Sequence, residues 1–162
     1  MTTRAVPIRA GADHERRYPG ASKLATEVVV NLLRTEGLIS AELNRRFRAL
    51  GLTLGTFNVL MILEGAGGPR CPHEIGAELL VTRGTVTGLL DTLEKRGLIA
   101  RSPHPDDRRM LHVELTKAGT RLLARFLPTF FPEEAGLVAT LSDREKETLV
   151  RLLGKIQAGL QA

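Results

Sequence analysis

The residues best placed to do chemistry are Thr82, Arg83, Gly84, Thr85 and Thr87, followed by Arg108 and Arg109. Their chemistry is recognition rather than bond making. Exposed glycines let a partner backbone approach closely, a helix N-terminus favours an anion, and arginine suits a narrow, negative groove. The 162-residue chain contains no G-x-S-x-G, P-loop or H-E-x-x-H pattern, so nothing points to an enzyme. Cys71 and His73 stand too close in sequence to align as nucleophile and base on one helix face. His14, His73, His104 and His112 include no pair at i, i+4, so no metal or cofactor site is expected.

The elements that must hold these residues lie between Cys71 and Gly119. A short helix, PHEIGAELL, opens at Pro72, a residue suited to a first helical position, and carries Ile75, Leu79 and Leu80. The chain breaks at Val81-Thr82, and Thr82 can cap a second helix, RGTVTGLLDTLEKRGL. On that helix Val86, Leu89, Leu90 and Leu93 share a core face, while Gly84, Thr87, Gly88, Asp91 and Lys95 lie opposite. Two glycines on an outward face cost helix stability, which suggests close approach of a partner. Leu111, Val113 and Leu115 alternate with polar neighbours as in a half-buried strand, and residues 99–102 are its partner strand. The connection PHPDDRR is too polar to pack and must project. Helix, turn, helix and basic hairpin in this order place one helix in a DNA major groove with an arginine-tipped wing beside it. The rival reading is a winged helix used for protein–protein contact, which would tolerate loss of Arg83 and Arg108.

The wider sequence is consistent with a polyanionic partner. The formal net charge is +5, and 43% of residues are hydrophobic, enough for a substantial core. Cys71 is the only cysteine, so no intramolecular disulfide can form, which suits a cytoplasmic protein. It neighbours Arg70 and a helix N-terminus, an arrangement that lowers a thiol pKa and leaves a redox sensor as a second alternative. No apolar run approaches the ~20 residues needed to span a bilayer. Residues 1–20 read as a flexible arm, too rich in Gly, Pro and charge to fold alone. A long helix follows over 21–50, with Gly37 as a candidate bend, and stops at Gly51. Thr53 caps the next helix, whose buried face is Phe57, Leu60 and Met61. Thr116 caps another, in which Pro128 and Pro132 predict a kink or break. Ser142 and Glu145 form a capping box for the last helix, whose stripe of Leu149, Leu152, Leu153, Ile156 and Leu160 needs a surface to cover.

Over residues 24–160 this layout resembles the multiple antibiotic resistance regulator (MarR) family. Leu93-Glu94 with Arg96-Gly97-Leu98 resembles the family's L-E-x-x-G-L turn into the wing, and Asp107, Arg109, Leu115-Thr116 and Gly119 resemble its D-x-R…L-T…G signature. The resemblance implies a mainly α fold with a small β-hairpin wing. Residues 52–116 would form the winged helix-turn-helix DNA-binding domain, and 21–50 with 117–162 a helical dimerisation region. It further implies a homodimer that binds a pseudo-palindromic operator in double-stranded DNA, usually as a repressor. The helix from Thr82 to Arg96 would read the major groove: Thr82, Arg83, Gly84, Thr85 and Thr87 would face the groove or its phosphates, with Arg83 forking onto guanine O6 and N7 and the threonines contacting phosphates or thymine methyls. Arg109 would pair with Asp107, leaving Arg108 freer for the minor groove. A small aromatic or anionic effector would lodge against Asn44, Phe47, Arg48, Phe57 and Met61.

Overall fold

The computed structural model describes residues 6–104 and 110–161. Among the described residues, seven helices and one two-stranded sheet run in the order α1 (His14–Arg17), α2 (Lys23–Arg48), α3 (Leu54–Ala66), α4 (Pro72–Leu79), α5 (Arg83–Lys95), β1 (Ile99–Pro103), β2 (Leu111–Leu115), α6 (Lys117–Leu137) and α7 (Asp143–Gln161). The chain divides into two compact units, residues 1–57 and 58–162, with the boundary inside α3.

In the first unit, Ser22 caps α2 by accepting the Ala25 N–H. The helix continues through Gly37 without interruption. Leu43, Phe47, Leu52 and Phe57 are buried here. Within the described part of the arm, Ile8, Arg9 and Ala10 bond to α2. Ile8 N–H donates to Asn31 Oδ1 at 2.8 Å, and the Asn31 amide returns a bond to the Ile8 carbonyl. Arg9 donates to Glu27 at 2.7 Å, and Ala10 N–H donates to the same carboxylate at 3.1 Å. Composition alone misses this, because a segment too polar to make its own core can still satisfy its backbone on a neighbouring helix.

The second unit holds the helix pair and the hairpin. Ile75, Val86, Leu90, Leu93, Ile99 and Val113 are buried. Gly76 lets α4 and α5 pack closely: a Cβ there would lie 3.0 Å from Val86 Cγ2. Leu80 is 80% exposed and ends α4 in the left-handed region at φ 54°, the conformation with which helices commonly turn at their C-terminus. Val81 N–H then bonds back to the Gly76 carbonyl, which fixes the tight turn.

The hairpin register pairs Ile99 with Leu115, Arg101 with Val113 and Pro103 with Leu111. Leu111 is exposed and Val113 fully buried, so the inward face narrows to the base of the wing. A second pairing lies outside the sequence expectation: Arg70 exchanges both backbone hydrogen bonds with Val113, at 2.9 and 2.8 Å. Thr116 caps α6 by accepting from Gly119 N–H. Of the kink or break expected at Pro128 and Pro132, the break does not occur: α6 continues through both to Leu137. Both prolines are exposed, as is Ala124, so water can bond the carbonyls they orphan. The capping box at Ser142 and Glu145 starts α7 as expected, with bonds of 2.8 and 3.4 Å. Among the described residues, no helix is long and apolar enough to cross a membrane.

Candidate nucleic-acid interface

Helix α5 is cut into two faces by its sequence. Val86, Leu90 and Leu93 are essentially inaccessible, and Leu89 is half-buried at the edge of the same face. Thr82, Arg83, Gly84, Thr85, Thr87 and Gly88 are all exposed. Thr82 Oγ1 accepts the Thr85 N–H at 3.3 Å, and the two hydroxyls lie 3.0 Å apart. That cap fixes where the helix starts and orients its free N–H groups, which favour an anion. Thr87 donates to the Arg83 carbonyl at 3.0 Å, so its hydroxyl retains acceptor capacity for a partner. Arg83 makes no ion pair with any described residue. A Cβ at Gly88 would meet nothing within 4 Å. The face is therefore flat, small and rich in donors, a surface that another backbone can approach closely.

Asp91, counted on the outward face from periodicity, has a different role. Arg101 on β1 donates to its carboxylate at 2.8 Å and lies 3.4 Å from Glu94. This clamp ties the hairpin to α5. Arg108, Arg109 and Asp107 fall outside the described residues, so the expected wing arginines and their pairing are not located.

A cleft of about 700 Å³ adjoins the start of α5, lined by Cys71, His73, Gly76, Val81, Arg83 and Met110 among others. Cys71 is buried, and its thiol is pushed up, first by burial and then by the nearby Glu74 carboxylate. The lowered thiol pKa expected from Arg70 is therefore reversed. Arg70 is turned to Glu74 and Glu78, at 3.4 and 4.0 Å. Glu74 in turn accepts the Cys71 N–H at 2.7 Å, which first of all holds its own carboxyl below the usual range.

Three of the expected effector residues, Asn44, Phe47 and Phe57, make contacts within the fold. Phe47 and Phe57 stack with ring centroids 4.3 Å apart and are buried. Asn44 accepts the Leu54 N–H at 2.8 Å and donates to the Ser40 carbonyl. Arg48 is exposed and Met61 half-buried.

A two-helix turn followed by a clamped hairpin defines a winged helix-turn-helix protein. Comparison with known proteins gives the family. A MarR family model matches residues 50–110. The HTH-type transcriptional repressor YetL of Bacillus subtilis is 32% identical over 145 residues, covering 89% of this chain and 87% of that protein. A probable transcriptional regulator from Pseudomonas aeruginosa, known by crystal structure, is 34% identical with a TM-score of 0.68, covering 79% of this chain and 96% of that one. A mutant form of Escherichia coli MarR, solved in complex with operator DNA, is 25% identical with a TM-score of 0.72, covering 91% and 99%. The chain belongs to the MarR family of transcriptional regulators.

Proposed function

We propose that this protein is a cytoplasmic homodimeric repressor that binds a pseudo-palindromic operator through residues 52–116. The observation that carries the reading is the division of α5 into a sealed core face and an exposed face of Thr82, Arg83, Gly84, Thr85 and Thr87. In the reading, α5 enters the major groove, Arg83 forks onto a guanine, and Arg108 and Arg109 serve the minor groove from the wing. A guanine fork is worth about 1–3 kcal/mol of discrimination. The operator-bound E. coli MarR structure supports DNA as the partner by analogy.

The homodimer is supported by apolar side chains that the single chain leaves uncovered. Helix α7 buries no residue, and Leu149, Leu152 and Ile156 on its stripe are each 40% exposed or more. Leu24, Val28, Val29 and Leu33 of α2 are likewise exposed. A second copy covering these helices sets two recognition helices about one DNA turn apart. An aromatic or anionic effector that shifts populations between two dimer spacings completes the reading as an on–off device.

The test is affinity selection of random and source-genome DNA fragments, with the Arg83→Ala/Arg108→Ala double variant in parallel. Recovery of one pseudo-palindrome by the parent alone, with binding that falls steeply from low to physiological salt, supports the reading. Absence of any enriched motif at low salt, or equal enrichment by the variant, overturns it in favour of a protein-contact module.

A further inference from the structure

The strand pairings at the base of the wing gather three residues that are far apart in sequence. Ser102 pairs with His112, and His104 N–H bonds the Met110 carbonyl at 3.0 Å, one step beyond the last ladder pair. His104 and His112 are therefore diagonal neighbours on one face of the hairpin, with ring centroids 4.2 Å apart. On the other side of β2, Arg70 pairs with Val113, which brings the next residue, Cys71, alongside His112. The donor atoms of Cys71, His104 and His112 all lie within 4.8 Å of one another. Cys71 is buried and the two histidines are half-buried.

We propose that Cys71, His104 and His112 form a binding site for a zinc-class transition-metal ion. One thiolate with two imidazoles is a donor set that suits zinc and excludes magnesium or calcium, which take oxygen ligands. Ligand atoms around tetrahedral zinc lie roughly 3.3–3.6 Å apart, given Zn–S and Zn–N bonds of about 2.3 and 2.0–2.1 Å. Side-chain rotation of about 1 Å closes the present spacing to that range, within what χ rotations supply. Three protein ligands leave the fourth position to water, unlike the closed four-ligand set of a structural zinc site. On binding, the S–H bond breaks, the metal–sulfur bond forms, and one proton leaves to solvent, while both imidazoles bind neutral. Cys71 also lines the cleft beside Arg83. A bound ion would tie the end of β1 and the start of β2 to the residue that opens α4, and so set the wing relative to the helix pair.

The experiment is titration of the reduced full-length protein with cobalt(II) followed by absorption, then competition by zinc(II) against a chromophoric chelator. We expect one ion per chain, with a sulfur-to-cobalt charge-transfer band in the near ultraviolet and tetrahedral ligand-field bands in the visible. Cys71→Ser removes the charge-transfer band. Because Cys71 is buried, the His104→Ala/His112→Ala variant is measured beside it, with circular dichroism as the check on folding. That variant should bind more than about 100-fold more weakly, since loss of an outer-shell partner alone costs about 10–100-fold. Absence of the charge-transfer band in the parent overturns the proposal, as does parental affinity in the folded double-histidine variant. The optical readout involves no DNA, so it stands or falls separately from the repressor reading.

Discussion

Arg101 of β1 donates a hydrogen bond of 2.8 Å to Asp91 of α5. It joins the wing to the helix proposed to enter the groove. The Arg101 side chain is only 20% exposed, whereas that of Asp91 is 46% exposed, so the pair sits at the edge of the core. Arg101 Nε is buried without a partner among the described residues, which offsets part of the gain. A double-mutant cycle with Arg101→Ala and Asp91→Ala, read by urea denaturation, should give a coupling of about 0.5–1 kcal/mol. A coupling near zero would show that the clamp does not hold the wing in solution.

Gly88 separates stability from recognition. It lies in mid-helix, exposed, with open space where a Cβ would stand. Gly88→Ala should raise stability by about 0.5–1 kcal/mol through helix propensity. If the α5 backbone lies against DNA, the same methyl should weaken operator affinity about tenfold, or ~1.4 kcal/mol. Thermal denaturation and a binding titration on one preparation test the opposite signs together.

Gly119 is held for space rather than for backbone conformation. A Cβ there would overlap the Leu98 carbonyl oxygen and lie 3.2 Å from Leu115 Cδ2. The Leu98 oxygen already accepts the Thr116 N–H at 3.1 Å, and Thr116 Oγ1 donates to the Gly97 carbonyl, so this backbone is pinned. Gly119→Ala should therefore cost at least the ~1–3 kcal/mol typical of overpacking, measured by denaturant midpoint. A neutral result would mean that the start of α6 shifts freely.

The docked arm should respond to acid. The Arg9 guanidinium bonded to Glu27 holds that carboxyl below its ordinary range, and the Ala10 N–H adds to the effect. A depressed carboxyl contributes stability in full above its unfolded value, about 4.3, and loses it as pH falls through the folded value. Hydrogen-exchange protection of the Ala10 amide should follow that course. In Glu27→Gln, protection should be weak at neutral pH and nearly independent of acid. Equal protection in parent and variant would show that the bonds from Asn31 hold the arm alone.

What was legible in the sequence is what local spacing encodes. The two faces of α5 follow from the helical period of Val86, Leu90 and Leu93. The caps at Thr82, Thr116 and Ser142 follow from a hydroxyl three residues before the N–H it accepts. The alternation through Val113 gives the wing strand. These features need only neighbours within about one helical turn or one pleat.

The tertiary structure decided what depends on pairing between distant segments. The Arg70–Val113 bridge has no local signature, yet it is what sets Cys71 beside His112 and makes a three-donor cluster out of residues that look unrelated in sequence. Burial, which is a property of the packed unit, reverses the expected acidity of Cys71. Solvent access to exposed carbonyls lets α6 continue through Pro128 and Pro132. Backbone bonds to Glu27 and Asn31 hold Ile8 and Ala10, residues of an arm whose composition alone reads as flexible. Periodicity and capping are short-range and so can be read along the chain. Register, desolvation and hydrogen-bond satisfaction are set by residues remote in sequence and exist only once the chain has folded.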